Sequence, residues 1–173
     1  MKNVNVKKMV LLAILISQAL VLSIIESWIP LPVPVPVPGI KLGLANIVTI
    51  FIIVFYGYRE ALSVVLVRCL LSSFFSGGVT VFLFSISGGI LSSIVMSLLY
   101  KKFSKFFSII GISIAGAVMH NIGQIIMAVI VMKDIAVLGY IPVLIIAGIV
   151  TGLLVGVAAK LLIKGFDRSK MII

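Results

Sequence analysis

Acidic residues, cysteine and histidine are scarce in this sequence. Its 173 residues include four Asp and Glu, one His and one Cys. The lone cysteine, Cys69, excludes an intrachain disulfide and a cysteine-based metal cluster. The sequence also has no DDxxD carboxylate pair for magnesium and diphosphate chemistry, no P-loop and no HExxH motif. We therefore expect no catalytic residues, no metal and no cofactor, and a protein that does not itself catalyse a reaction.

Apolar residues, in contrast, dominate the composition. The chain is 62% hydrophobic and 10% charged, with a mean hydropathy of +1.41. A soluble domain of this size cannot bury so much apolar surface, so the sequence predicts an all-α polytopic membrane protein in contact with lipid. The net charge of +10 would also suit a nucleic-acid binder, but the basic residues lie in short loops and at the chain ends. We expect no nucleic-acid partner.

Six apolar segments approach the length of about twenty residues that a membrane-spanning helix needs. They predict one domain, 1–173, built as a six-helix bundle with spans at about 9–29, 42–57, 60–75, 79–100, 106–132 and 135–163. The fourth segment is interrupted by Ser87, Gly88 and Gly89. Between the first two segments lies PLPVPVPVPG, whose alternating prolines predict a stiff, extended connector that can act as a rigid loop or as a lid over a pocket.

The basic residues predict the orientation of the bundle. If the N-terminus is cytoplasmic, eleven of the fourteen cations fall in inside segments, and only Lys41 and Lys133 fall outside. Arg68 belongs to neither side. The positive-inside rule therefore favours cytoplasmic termini and an even number of spans in a multi-pass protein of the cell membrane.

The stretch 111–132 is long enough to cross a bilayer, yet its middle carries His120, Asn121 and Gln124. A bilayer core offers no water to such groups, so they should face protein or a cavity rather than lipid. His120 and Gln124 are four residues apart, and Asn121 lies about 100° from His120, so one sector of a helix can present all three. They form either a binding site or polar contacts that hold helices together.

Arg68 lies near the middle of the third segment, about 12 Å from its cytoplasmic start. An unpaired arginine at this depth costs about 2.5 to 3.5 kcal/mol even on the most lenient insertion scale. Three outcomes are open: Arg68 pairs with Glu26 across the bundle, binds an anionic ligand, or snorkels to an interface. A guanidinium suits a carboxylate or a phosphate, which it binds through two parallel hydrogen bonds.

Depth along the predicted helices groups the remaining polar residues. Glu26, Lys41 and Asn46 fall in the outer part of the bundle, and His120 lies near or beyond the midplane on the same side. These residues come from different spans. They predict one cavity that opens outward beneath the proline connector.

Several stretches resemble one small membrane family. They are AILISQALVLSIIES in the first segment, PGIKLGLANIV after the connector, VLVRCLLSSFFSG around the arginine, and AGAVMHNIGQ. Together they resemble, over nearly the whole chain, the Gx transporter family, which is also labelled heptaprenyl diphosphate synthase component I. That family is similar to the S-components of energy-coupling factor transporters, six-helix bundles of prokaryotic plasma membranes that bind a vitamin or related small molecule near the outer face. The resemblance implies these pocket residues: Lys41, Asn46, Arg68, His120, Asn121 and Gln124.

Small residues at four-residue spacing predict helix-packing surfaces. The sixth segment carries Gly148, Gly152 and Gly156, a GxxxGxxxG ridge of the kind that lets another helix approach closely. The S-component resemblance further implies a transmembrane coupling subunit and two ATPases as partners. S-components dock to the coupling subunit through small residues on their first helix. In this chain Ala13 and Ser17 come closest to that pattern.

Two functional hypotheses follow. The leading one is a membrane substrate-binding subunit for uptake of a small anionic or vitamin-like molecule, powered by partner ATPases. The alternative is a noncatalytic membrane component associated with heptaprenyl diphosphate synthesis, and so with isoprenoid or quinone synthesis. A purely structural bundle, the third reading, would pair Arg68 with Glu26 and contain no cavity.

Overall fold

The chain folds as a bundle of α-helices. The computed structural model describes residues 6–29, 41–76 and 78–168, and within these ranges the regular structure is entirely helical. The predicted all-α fold class is therefore confirmed, whereas the proline connector, 30–39, lies outside the described residues. In chain order the elements are α1 (Val6–Trp28), α2 (Asn46–Phe55), α3 (Tyr58–Ser76), α4 (Gly78–Phe103), α5 (Ile109–Met132), a 3₁₀ helix (Ile135–Tyr140) and α6 (Ile141–Arg168).

Within the described ranges, four stretches are long and apolar enough to cross a bilayer, namely α1, α4, α5 and Ile135–Asp167. Helix α3 has 19 residues, or about 28 Å of helix, but it carries Arg59, Glu60 and Arg68. Helix α2 is apolar but has only 10 residues, which is about 15 Å or half the thickness of a bilayer core. The chain is thus a multi-helix protein of membrane type whose helices differ widely in length.

The predicted span 42–57 is wrong at its beginning, because residues 41–45 form a turn and not the first part of a helix. Gly43 in this turn has a φ of +90°, a conformation in which other residues are strained. Helix α2 starts only at Asn46, and it ends just before Gly57, which has a φ of +92° and so provides a typical left-handed stop. Hydropathy misses the turn because apolar residues score alike in turns and in helices.

Although short, α2 lies at the centre of the bundle. It contacts all five other α-helices, and seven of its ten residues are buried. Helix α3 packs against α1, α2 and α4, and α5 packs against both α4 and α6. Because α2 begins with a polar residue, Asn46, its N-terminus brings an amide side chain into the interior.

The predicted interruption of the fourth helix is absent, since α4 runs unbroken through Ser87, Gly88 and Gly89. These small residues instead allow α5 to approach closely. A Cβ atom on Gly88 would lie 2.7 Å from the carbonyl oxygen of His120, and one on Gly123 would lie 2.9 Å from the Cα of Gly88. The two helices are therefore in backbone contact beside the polar middle of α5.

The fifth and sixth helices begin later than predicted, because capping residues precede them. The Ser108 hydroxyl accepts a hydrogen bond from the N–H of Gly111 at 3.2 Å and so caps the start of α5. Asp134 similarly caps the 3₁₀ helix Ile135–Tyr140. The predicted sixth helix is thus divided into a 3₁₀ turn and α6.

The glycine ridge of α6 packs against α5 of the same chain. A Cβ atom on Gly152 would lie 2.6 Å from the Cα of Ile114, and one on Gly156 would lie 2.7 Å from the Cα of Ile110. Gly148 approaches the backbone of the same helix one turn further on. The ridge is therefore occupied within the bundle and is not free for a helix of another protein.

Candidate functional site

All seven of the predicted pocket residues lie in the interior, on α1, the 41–45 turn, α2, α3 and α5. None of them exposes more than 5% of its surface. They are thus enclosed, whereas the sequence predicted a cavity open to the outer face. We refer to six of them, all except Asn121, as the buried polar cluster: Glu26, Lys41, Asn46, Arg68, His120 and Gln124.

Glu26, near the end of α1, holds the turn that precedes α2. Its carboxylate accepts the backbone N–H of Gly43 and that of Leu44, the latter at 3.2 Å. Hydrogen bonds to a charged acceptor are stronger than those between neutral groups, and they compensate for the removal of a carboxylate from water. The acid is therefore tied to backbone amides of the turn.

Lys41 attaches the same turn to α1 and α5. Its ammonium donates to the hydroxyl of Ser23 at 3.0 Å and to the carbonyl of Ser23 at 3.3 Å. Its backbone N–H donates to Oε1 of Gln124 at 3.1 Å. The turn is consequently fixed from three sides, by Glu26, Ser23 and Gln124.

The hydrogen bonds of Gln124 determine the tautomer of His120. Oε1 of Gln124 accepts from Lys41, so the amide nitrogen Nε2 is the donor toward Nε2 of His120, which lies 3.0 Å away. A neutral imidazole that accepts at Nε2 carries its proton on Nδ1. In this arrangement the neutral His120 carries its proton on Nδ1, which is buried without a hydrogen-bond partner.

Arg68, in the middle of α3, is buried and lacks a protein partner on one edge of its guanidinium. It interacts electrostatically with Glu26 and His120, but its Nε and Nη2 atoms make no hydrogen bond. Among the described residues, the ion pair found is between Lys8 and Glu60. Of the three outcomes left open for Arg68, an ion pair with Glu26 is not formed within the described ranges, where the Glu26 carboxylate accepts the turn amides instead.

Further unpaired polar atoms lie in the interior of the bundle. Both amide atoms of Asn46 are buried without a hydrogen bond, as are the hydroxyls of Ser72 and Ser85. Ser72 is one turn beyond Arg68 on α3, and sequence analysis missed both serines. Ser72 lies four residues after Arg68, and Ser85 lies four residues before Gly89, so the spacing offered a signal. Serine, however, is too common in membrane helices for this spacing to single it out.

Asn121 belongs to a different contact. Its Nδ2 donates to the carbonyl of Leu144 on α6 at 2.8 Å, whereas His120 and Gln124 face α4 and the 41–45 turn. The prediction that one sector presents all three is therefore wrong for Asn121. It holds α5 to α6, in the manner of the interhelical alternative.

The electrostatic balance of the buried polar cluster is positive, with two cations and one carboxylate. Among the described residues, no group of three His, Cys, Asp or Glu side chains is arranged to hold a metal ion. The free edge of Arg68 formed by Nε and Nη2 can donate two parallel hydrogen bonds to one oxyanion. This arrangement suits a single carboxylate or phosphate group.

The predicted docking residues of α1 lie on its outward face. Ala13 and Ser17 are both exposed, and the Ser17 hydroxyl donates to the Ala13 carbonyl at 3.0 Å. Beside them, an apolar groove of about 540 Å³ runs between α1 and α6 with α2 as its floor. The amide side chain of Gln18 lines this groove.

The fold and the site define the class of protein as an all-helical bundle of membrane type that encloses a positively charged polar cluster. A family model described as heptaprenyl diphosphate synthase component I matches residues 15–162. The chain therefore belongs to this family, whose name describes one component of a synthase and so implies a partner component. No curated protein and no solved structure matches the chain.

Proposed function

We propose that the chain is a membrane substrate-binding subunit that takes up a small anionic or vitamin-like molecule, with energy supplied by partner ATPases. The observation that carries the proposal is the buried, unpartnered Nε and Nη2 edge of Arg68. A bidentate contact from this edge to a carboxylate or phosphate would neutralise the arginine and satisfy both atoms.

Other unpaired polar groups of the interior support the same role. Asn46, Ser72 and Ser85 offer neutral hydrogen-bonding groups that have no partner in the protein. An anion that enters would be met by Arg68 and then oriented by these groups, whereas the 41–45 turn keeps water out. Entry requires the 41–45 turn to move aside.

The topology proposed for this function has six spans in one domain, 1–173, with both termini cytoplasmic. Four stretches have full span length. Helices α2 and α3 would provide the remaining crossings, with the 41–45 turn completing the depth that α2 lacks. The exposed lysines of the described chain lie mostly at the end where α4 ends and α5 begins, which supports placing that end in the cytoplasm.

Partner subunits are part of the proposal, because the sequence has no P-loop for nucleotide hydrolysis. A transmembrane coupling subunit would contact the outward face of α1, where Ala13 and Ser17 allow close approach. The neighbouring groove supports this surface, since the polar Gln18 is costly to leave against lipid chains. We expect ATPases to bind the coupling subunit.

The test uses Arg68→Met, which removes the charge and nearly preserves the volume, with Arg59→Met as a matched control at an exposed position of the same helix. Wild-type protein, purified in mild detergent, is screened for thermal stabilisation by small carboxylates and phosphates. We expect one class to stabilise the wild type and the control but not Arg68→Met, with affinity reduced about a hundredfold or more. Undiminished binding by Arg68→Met would remove the arginine from the site.

A second candidate function is favoured by the family match. The chain would then be the noncatalytic membrane component of a heptaprenyl diphosphate synthase and would bind a soluble catalytic component. Mass spectrometry of proteins that co-purify with the tagged chain separates the two functions. ATPases and a coupling subunit would support uptake, whereas an aspartate-rich synthase without ATPases would support the second function.

A further inference from the structure

One end of the bundle is strongly basic. Helix α4 ends and α5 begins there, and Gly156 of α6 packs against Ile110 at the start of α5. The exposed Lys160 and Lys164 lie one and two turns further along α6 and so reach the level of the α4–α5 turn. Two acids lie at the same end: Glu60, which is paired with Lys8, and the exposed Asp167, three residues after Lys164.

The turn between α4 and α5 combines cations with exposed aromatic rings. Its conformation is ordered, because the N–H groups of Phe106 and Phe107 donate to the carbonyl of Phe103 at 2.9 and 3.0 Å. Phe106 is 83% exposed, and Phe103 and Phe107 are 42% and 43% exposed. The lysines interleaved with these rings are also exposed. We call this segment, 101–107, the basic aromatic turn; its lysines are Lys101, Lys102 and Lys105.

We propose that the basic aromatic turn, together with Lys160 and Lys164, binds the phosphate groups of acidic lipid headgroups at the membrane surface. Phenylalanine rings placed at the end of membrane helices gain by entering the boundary between headgroups and acyl chains. Lysine side chains extend from that depth toward the phosphates. The surface therefore combines the two contacts that an anionic lipid offers.

The aromatic rings favour lipid over an acidic soluble protein as the occupant. Charge alone would suit either, since both are polyanionic surfaces. An acidic protein surface, however, leaves three phenylalanine rings of this turn without an apolar environment, whereas a bilayer supplies one directly beneath its phosphates. The opposite end of the bundle gives a contrast, because its exposed Lys133 adjoins Asp134.

The proposal does not depend on the function of the buried polar cluster, and native mass spectrometry of the full-length protein tests it. The protein in neutral detergent is offered equal amounts of phosphatidylglycerol and phosphatidylcholine at low and high salt. We expect preferential retention of phosphatidylglycerol at low salt and weaker retention at high salt. Each lysine close to an acidic surface contributes roughly fivefold, so the triple variant K101Q/K102Q/K105Q should lose about a hundredfold of that preference.

Two controls make the outcome specific. Lys133→Gln removes a lysine from the opposite end and should leave the preference unchanged, whereas Phe106→Ser should reduce retention of both lipids. Equal retention of the two lipids by the wild type, or an unchanged preference in the triple variant, would overturn the proposal. Displacement of phosphatidylglycerol by inorganic diphosphate at matched ionic strength would also overturn it, because this would indicate a site for free phosphate. Lysine-dependent binding of an acidic protein without any lipid preference would overturn it as well.

Discussion

Replacement of Glu26 by glutamine should destabilise the protein by about 3 kcal/mol. The carboxylate accepts two backbone N–H groups of the 41–45 turn, from Gly43 and Leu44, and hydrogen bonds to a charged acceptor contribute about 1.5 to 3 kcal/mol each. A glutamine keeps one acceptor oxygen but turns its amide donors toward the other N–H. One bond is therefore lost and the other is weakened to the neutral value of about 1 kcal/mol.

Electrostatics act in the same direction in this variant. Glu26 is the negative charge of the buried polar cluster, so its removal leaves Arg68 and Lys41 without a counter-charge in a medium of low polarity. The turn should then open more readily. Because this turn covers His120 and Asn46, we expect faster proteolysis near residue 43 in addition to the lower stability.

The assay is chemical or thermal unfolding of the purified protein in one detergent, with Glu60→Gln as the matched control. Glu60 also pairs with a cation, Lys8, but this pair is near the surface, where such interactions contribute about 0 to 1 kcal/mol. Glu26→Gln should therefore unfold well before Glu60→Gln. Equal stability of the two variants would refute the conclusion that the Glu26 carboxylate holds the turn.

Two further predictions concern the contact between α5 and α6. Gly152→Ala should destabilise the protein by about 1 to 3 kcal/mol, because its methyl group would lie 2.6 Å from the Cα of Ile114. The control Gly165→Ala, whose methyl group meets nothing within 4 Å, should be neutral or stabilising in the same unfolding assay. Asn121→Leu should lose about 1 kcal/mol with its bond to Leu144, yet it should keep the affinity for any anion found in the ligand screen; a large loss of affinity would return Asn121 to the site.

The sequence was sufficient to predict the helical class and the burial of the polar residues. Long apolar segments identify helices of membrane type, and the cost of polar groups in lipid predicts that Glu26, Arg68 and His120 face inward. The structure buries all three. This part of the prediction depends only on composition along single segments, which is why it succeeded.

The partners of these residues were not predictable in the same way. The first part of the predicted span 42–57 is a turn because its amides meet the carboxylate of Glu26, a residue from another helix. Similarly, Asn121 separates from His120 because α5 has a different neighbour on each side, α4 and α6. Both differences come from contacts between segments, and one sequence carries little information about such contacts.

Glu26 forms its hydrogen bonds with the amides of the 41–45 turn and not with Arg68. If the two had formed an ion pair, each would have satisfied the other, and the third reading of the sequence, a purely structural bundle, would have followed. Instead the acid stabilises the fold, and the guanidinium keeps a free edge at the expense of stability. The two residues should therefore respond oppositely to neutral replacement. Loss of the Glu26 charge should weaken the protein. Arg68→Met, in contrast, should unfold at the same or a higher temperature than the wild type while it loses most of the affinity for the proposed anion, as expected for a residue retained for function.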